Sequence, residues 1–329
     1  MELKPIRTKV KPQIVVIGIG GAGRNAVNNI IEAGLEEVKF IVVDTSKPGM
    51  EGSKAFTAIQ IGENLTHGFG TGSLPEVGKA AAEESIEKLK ANIPECHMVF
   101  LTAGFGGGTG TGATPVIAQI CKTRSDLIVG VVSKPFAFEG KKKLNVAETG
   151  ITILRENIDT LITIPNDRMR TISSKGSRLV DIFRKADEVL QNSVKTIIDL
   201  ININGYVNLD FADIKSILKN AGNAIIGFGK ADGPDRAVLA VGQALSHPFL
   251  ENIELSGARK ALYNIAGGQS VTFEETTTIS DRIRDAVGDD ADVFWGQTID
   301  DSFGEQIQVT LIVTGISGAR DDSLKPMKQ

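Results

Sequence analysis

Gly104-Phe105-Gly106-Gly107-Gly108-Thr109-Gly110-Thr111-Gly112 is the stretch that decides the reading of this chain. Glycine makes up 36 of 329 residues, so nine residues should hold about one; this window holds six. A flexible linker would explain such a run, but a linker does not sit between a buried strand and a helix start. The apolar run Met98–Thr102 precedes the window, and helical spacing follows over Thr114–Lys122. Consecutive amides placed there can wrap an anion. The helix N-terminus adds a favourable term of roughly 0.3–1 kcal/mol toward negative charge.

A second glycine segment lies upstream. Gly18-Ile19-Gly20-Gly21-Ala22-Gly23 falls between the β-branched run Ile14–Ile17 and helical spacing from Asn25 to Ala33. It fits G-x-G-x-x-G in the strand–turn–helix setting that the motif requires. Asp44 ends the next strand, Phe40–Val43, 21 residues after Gly23. Alone, this pair reads as a dinucleotide fold whose acid holds a ribose. One pyrophosphate, however, does not need the second loop, whereas a nucleoside triphosphate does. A Walker-type G-x-x-x-x-G-K-[ST] does not occur, so backbone amides and a metal ion must hold the phosphates.

Strand-like runs Leu127–Val132 and Leu161–Ile164 alternate with helical stretches Glu76–Ala91 and Lys141–Asn157. This alternation predicts an α/β, doubly wound parallel-sheet domain over 13–176, after an N-terminal extension at 1–12. Apolar residues at three- and four-residue steps from Ser177 to Asn202 predict a long connecting helix, placed at 177–205. Strands at Ala224–Gly229, Ala261–Ile265, Asp292–Trp295 and Ile307–Val313, with helices at Asp235–Leu245 and Thr278–Val287, predict a second α+β domain over 206–316. A short polar tail at 317–329 closes the chain.

The net charge of −4 offers no field for nucleic acid or an anionic membrane. No run reaches the roughly 18 apolar residues of a membrane span, so neither nucleic-acid binding nor direct membrane insertion is expected. The absence of a secretory leader and the two distant cysteines, Cys96 and Cys121, point to free thiols in a cytoplasmic protein. His67, His97 and His247 are scattered, and no metal-ligand set is expected.

Gly106–Gly112, Gly-Gly-Gly-Thr-Gly-Thr-Gly, is the signature of the tubulin/FtsZ family, and the chain resembles that family in order and spacing from Ile14 to Ile316. The resemblance implies a GTPase that binds GTP or GDP with Mg²⁺. The first phosphate loop is matched by Gly20, Gly21, Ala22, Gly23, Arg24 and Asn25, and the second by Gly104, Gly106, Gly107, Gly108, Thr109 and Gly110. Glu139 and Lys143 fall where the ribose loop is expected, and Asn166 in the loop after it. Phe183 and Asp187 fall where the family stacks and reads guanine. Asp187 suits that role, since a carboxylate accepts from N1–H and the exocyclic amine, which adenine cannot match.

The segment Asn208-Leu209-Asp210-Phe211-Ala212-Asp213 is similar to the family's synergy loop. The resemblance implies that Asp210 and Asp213, positioned with help from Asn208, polarise the attacking water on a neighbouring subunit's GTP. The chain would then form a head-to-tail homopolymer at the division site, with membrane-tethering division proteins as further partners. Viewed alone, Asp210 reads as a helix N-cap with Asp213 as a first-turn acid. Several positions depart from the family pattern. Lys143 stands where Arg is usual, Arg24 where a small or amide residue is common, and Val43-Asp44-Thr45-Ser46 where Asn-Thr-Asp is usual. These departures leave two other readings, an oxidoreductase using a dinucleotide and a polymer that barely hydrolyses its nucleotide.

Overall fold

The computed structural model describes residues 11–35, 37–170, 176–202, 207, 209–251 and 253–316. In chain order the first half runs β1 (Ile14–Ile19), α1 (Gly20–Glu32), β2 (Val38–Asp44), α2 (Lys47–Glu51), β3 (Thr57–Gln60), α3 (Glu63–Thr66), α4 (Pro75–Glu84), α5 (Ile86–Asn92), β4 (Cys96–Gly104), α6 (Thr109–Cys121), β5 (Ser125–Lys134), α7 (Lys141–Arg155) and β6 (Thr160–Pro165). Then come α8 (Leu179–Asn202), α9 (Phe211–Leu218), β7 (Gly222–Ala231), α10 (Arg236–Leu245), β8 (Lys260–Gly267), α11 (Phe273–Val287), β9 (Asp292–Ile299) and β10 (Ile307–Thr314).

Strands β1 to β6 form a parallel sheet in the order β3-β2-β1-β4-β5-β6. Its strands are near-continuous apolar runs because both faces are covered. The period-2 alternation of a strand sorts them. Ile14 and Val16 of β1 pack with Ala26, Val27 and Ile30 of α1 and with Leu190 and Val194 of α8. Val15, Ile17 and Ile19 pack on the other face with Ala81, Ala113, Ile117 and Ile151 of α4, α6 and α7. Strand order reverses between β1 and β4, the switch point outside whose carboxyl ends ligands bind in such sheets. Both glycine segments lie there, one after β1 and one after β4.

The second half has its own apolar core, where Ala240 and Val241 of α10 and Ile279 and Ile283 of α11 pack on Tyr263, Ile265, Val309 and Leu311. Its strands make a mixed sheet, with β7 and β8 antiparallel to β10 and β9 parallel to β8. The two sheets are continuous. Thr160, Leu161 and Ile162 of β6 pair in parallel with Gly222, Asn223 and Ala224 of β7. That edge-to-edge join was not foreseen from sequence.

Two element boundaries also differ from expectation. Helices α1 and α6 begin at Gly20 and Thr109, five residues before the helical spacing starts, so glycines occupy their first turns. Glycine is a poor helix former, but close packing overrides propensity here. A Cβ on Gly23 would lie 2.3 Å from the carbonyl oxygen of Thr102, and one on Gly112 would lie 2.0 Å from that of Pro75. The single helix expected over Glu76–Ala91 is broken at Ser85, whose hydroxyl accepts from the Gly62 N–H at 2.9 Å.

Candidate nucleotide site

The two glycine segments touch. A Cβ on Gly20 would lie 3.2 Å from the Gly110 nitrogen, and one on Gly104 would lie 2.8 Å from the Ala22 side chain. Gly110 faces the Gly104 carbonyl so closely that a Cβ would sit 2.3 Å from its oxygen. By contrast Gly21 and Gly107 have, among the described residues, nothing within 4 Å of where a Cβ would stand. Glycine at these two positions is not explained by packing against the described residues. It leaves open backbone on each loop, which is what an anion cradled by amides requires.

Hydrogen bonds tie neighbouring loops to the cradle. The hydroxyls of Thr45 and Thr109 lie 2.7 Å apart, and Thr111 Oγ1 accepts from the Gly106 N–H at 2.9 Å. The segment Gly68–Gly72 packs on Gly108, where a Cβ would meet Thr71 Oγ1 at 2.1 Å. A groove of about 840 Å³ between α4, α6 and α7 includes Thr111 and Gly112 in its wall, but none of Gly20–Asn25 or Gly104–Thr109. It lies beside the cradle and not on it.

Asp44 does not serve the role that the dinucleotide reading gives it. It is only 5% exposed, and its Oδ1 accepts from the Thr45 and Ser46 N–H groups at 2.7 and 3.3 Å. Burial pushes its carboxyl above the ordinary range. A carboxylate turned into its own loop is a turn cap, not an exposed ribose acceptor.

The base and ribose candidates gather beyond the cradle. Phe183 is 40% exposed and meets buried Phe136 edge-on at 5.1 Å, with Phe138 at 6.4 Å. It is not a core residue despite its place on the long helix, and its ring has an open face for stacking. Asn166 opens the turn after β6; it is 8% exposed, and among the described residues its Oδ1 finds no donor. A buried, unpaired carbonyl costs roughly 1–3 kcal/mol, and a nucleotide hydroxyl or amine would relieve that cost. Glu139 is engaged through both oxygens, by the Phe136 N–H at 3.0 Å and by Lys143 at 2.9 Å. A ribose hydroxyl would be a third partner, within the capacity of a carboxylate.

Asp187 is half-buried on α8. Burial raises its carboxyl to about 6, and the neighbouring Asn25 side chain partly opposes that rise. Arg24, expected among the phosphate contacts, turns elsewhere. Its guanidinium donates to the Gly49 carbonyl and, at 3.2 Å, to Asn25 Oδ1.

The acids lie at the far end of the molecule. Asp210 caps α9 by accepting from the Asp213 N–H at 2.9 Å, and Asp213 returns the bond to the Asp210 N–H at 3.1 Å. The capping reading of this pair therefore describes its geometry. Helix α9 is anchored at the amino ends of the strands. Phe211 packs on His97 with ring centroids 6.0 Å apart, and Lys215 and Lys219 reach Asp126 and Asp159 at 3.3 and 3.0 Å. The cradle sits at the carboxyl ends. Strand β4, nine residues long, lies between them, about 30 Å at 3.3 Å per residue. Asn208 lies outside the described residues.

The chain matches the Tubulin/FtsZ family, GTPase domain, over residues 13–174, and the FtsZ family, C-terminal domain, over residues 222–317. It is 42% identical over 322 residues to the cell division protein FtsZ of Caulobacter vibrioides, covering 98% of this chain but 63% of that protein's length. It is 43% identical over 317 residues to cell division protein FtsZ 2 of Rhizobium meliloti, covering 96% and 92%. Among solved structures, an empty FtsZ dimer of M. jannaschii superposes with a TM-score of 0.89 at 39% identity, covering 94% of this chain and 89% of that one. CetZ1 of Haloferax volcanii, at 22% identity and a TM-score of 0.81 with 94% and 96% covered, shares the fold. With both family domains in sequence order and nearly the whole of this chain matched at 42–43% identity, this chain belongs to the tubulin/FtsZ family.

Proposed function

We propose that the chain binds GTP in the paired glycine cradle and hydrolyses it when the Asp210–Asp213 segment of a second copy is laid over the γ-phosphate. Copies would then add head to tail through a heterologous contact, which extends into a filament. The observation that carries this reading is the placement of cradle and acids at opposite ends of one parallel sheet. A separation of about 30 Å along β4 prevents a chain from bringing its own acids to its own nucleotide, yet suits stacking of identical subunits.

The amides at the starts of α1 and α6 bind the phosphates and stabilise charge where it develops. Asp210 and Asp213 orient and polarise the attacking water. Each spends one carboxylate oxygen on the reciprocal cap, and among the described residues the other oxygen takes no bond. Among the described residues no cluster of three His, Cys, Asp or Glu side chains forms a resident metal site. Mg²⁺ would therefore be held mainly by the phosphates, supplying charge compensation, with the threonines of the cradle beside it. Domain boundaries at 13–176, 177–205 and 206–316 are consistent with this division of labour. The division ring is the proposed place of action, on the strength of the FtsZ relatives. None of the described helices is long and apolar enough to cross a membrane. Membrane-tethering division proteins are the further partners proposed there.

Dependence on assembly is measurable. The rate of phosphate release per subunit is expected to be near zero at high dilution and to rise steeply above a threshold concentration. A specific activity that stays constant across dilution would remove the second copy from the reaction.

A further inference from the structure

We propose that His97 is a positioning residue for hydrolysis: its ring, fixed to the backbone at residue 13, is the seat against which Phe211 sets the Asp210–Asp213 turn that one copy presents to the nucleotide of the next. This inference rests on the two-copy reading above and adds a residue to its acid half.

The two ends of α9 are held differently. Polar bonds tie down its carboxyl end. Lys219 Nζ reaches an Asp159 oxygen at 3.0 Å and the Asp126 carbonyl at 2.6 Å, and Lys260 Nζ reaches the Ser216 carbonyl at 2.6 Å. The Thr160 hydroxyl donates to the Leu218 carbonyl. The acids stand at the amino end. Among the described residues their bonds run to each other's backbone, which holds the turn together without fixing it to the sheet. Apolar contacts do the fixing. Leu209 and Ile214 enter the core. Phe211, half-buried and between the two acids in sequence, meets the His97 ring edge-on, with centroids 6.0 Å apart and planes at 76°.

The His97 ring is itself held. Its Nδ1 accepts from the Gln13 N–H at 2.9 Å, and the His97 backbone N–H donates to the Gln13 carbonyl at 2.9 Å. Both bonds go to the residue that leads into β1, beside the start of β4. An aliphatic side chain at position 97 would offer neither an acceptor to Gln13 nor a ring edge to Phe211. Phe211 is one residue from Asp210 and two from Asp213, so its seat sets where both carboxylates lie. Placement of this kind matters to rate, since a shift of about 1 Å in a positioned group can cost about 100-fold.

The test is GTP hydrolysis by the full chain above its assembly threshold, for the wild type, His97→Ala, His97→Phe and His97→Asn, with GDP binding measured on the isolated chain. His97→Ala should lower turnover at saturating GTP by about tenfold, with KM and GDP affinity unchanged, because the cradle lies at the other end of β4. His97→Phe keeps a ring and should turn over at least about threefold faster than His97→Ala. His97→Asn keeps an acceptor without a ring and should be as slow as His97→Ala. His97→Phe against His97→Asn carries the comparison if His97→Ala fails to fold. Mixing equal amounts shows which half of the site is affected. Gly21→Val, with a side chain in the cradle, keeps intact acids, whereas Asp213→Ala does not. At random stacking about one contact in four joins a His97→Ala cradle to intact acids. His97→Ala with Gly21→Val should therefore release phosphate about fivefold faster than the two assayed apart, and His97→Ala with Asp213→Ala no faster. Wild-type turnover in His97→Ala or His97→Asn, GDP affinity that falls in step with turnover, no gain with Gly21→Val, or an equal gain in both mixtures overturns the positioning role. If the wild type releases phosphate at one specific rate at every dilution, the two-copy reading fails and the role of His97 with it.

Discussion

Asp213→Ala is expected to lower GTP hydrolysis by about 10²–10³-fold, within the range that a positioned general base contributes. Nucleotide binding by the isolated chain should be unchanged, because Asp213 lies at the amino ends of the strands and the cradle at their carboxyl ends. The substitution is a clean one. Asp210 caps α9 through the backbone N–H of residue 213, and that donor survives in Ala. Only the reciprocal bond to the Asp210 N–H is lost, a cost of about 1 kcal/mol or less. Asp210→Ala would remove the cap itself and confuse stability with chemistry. On the proposed reading, filaments of Asp213→Ala should form with GTP and persist, because hydrolysis is blocked. Light scattering with GTP, GDP and a slowly hydrolysed analogue reads this directly. A variant that hydrolyses at the wild-type rate would show that Asp213 is a first-turn acid and nothing more.

Gly21→Val is expected to weaken GTP binding by about 100-fold or more, since each 1.4 kcal/mol is a factor of ten, with little change in melting temperature. The reason is that a Cβ at residue 21 would meet no atom of the described residues within 4 Å outside its own helix turn. It would instead occupy the space where an anion must approach the amides. Gly110→Val should behave oppositely. Its Cβ would stand 2.3 Å from the Gly104 carbonyl oxygen, so the two loops must separate and the fold itself should suffer. Nucleotide affinity and thermal unfolding, measured on both variants, separate a glycine kept for a ligand from a glycine kept for packing. Unimpaired GTP binding by Gly21→Val would place the phosphates elsewhere.

The parallel half of the fold was legible because its strands are buried on both faces and read as apolar runs, as Ile14–Ile17 and Met98–Thr102 do. The long helix α8 was legible from its one apolar stripe. Strand β3, Thr57–Gln60, was missed; four residues with one buried side chain give no period to detect. The join of β6 to β7 was invisible for a different reason. It depends on which edges meet, and strand pairing is a long-range property that local pattern does not carry. At the site, glycine density exposed the cradle, but sequence alone treated its glycines alike. Only the neighbours of each missing Cβ distinguish Gly21 and Gly107 from Gly23 and Gly110. Asp44 and Arg24 were misleading for a related reason. Their residue types suit a ribose and a phosphate, but their side chains turn back into the protein, to Thr45 and Ser46 and to Gly49 and Asn25.

Mixing the two inactive proteins tests the shared site most directly. Asp213→Ala has an intact cradle and Gly21→Val has intact acids, so an active centre exists only where the second meets the nucleotide of the first. At equal amounts and random stacking, about one contact in four unites the intact halves. Phosphate release well above the sum of the two proteins assayed separately, rising with total concentration, is the expected result. A mixture no more active than that sum would contradict a site built from two subunits.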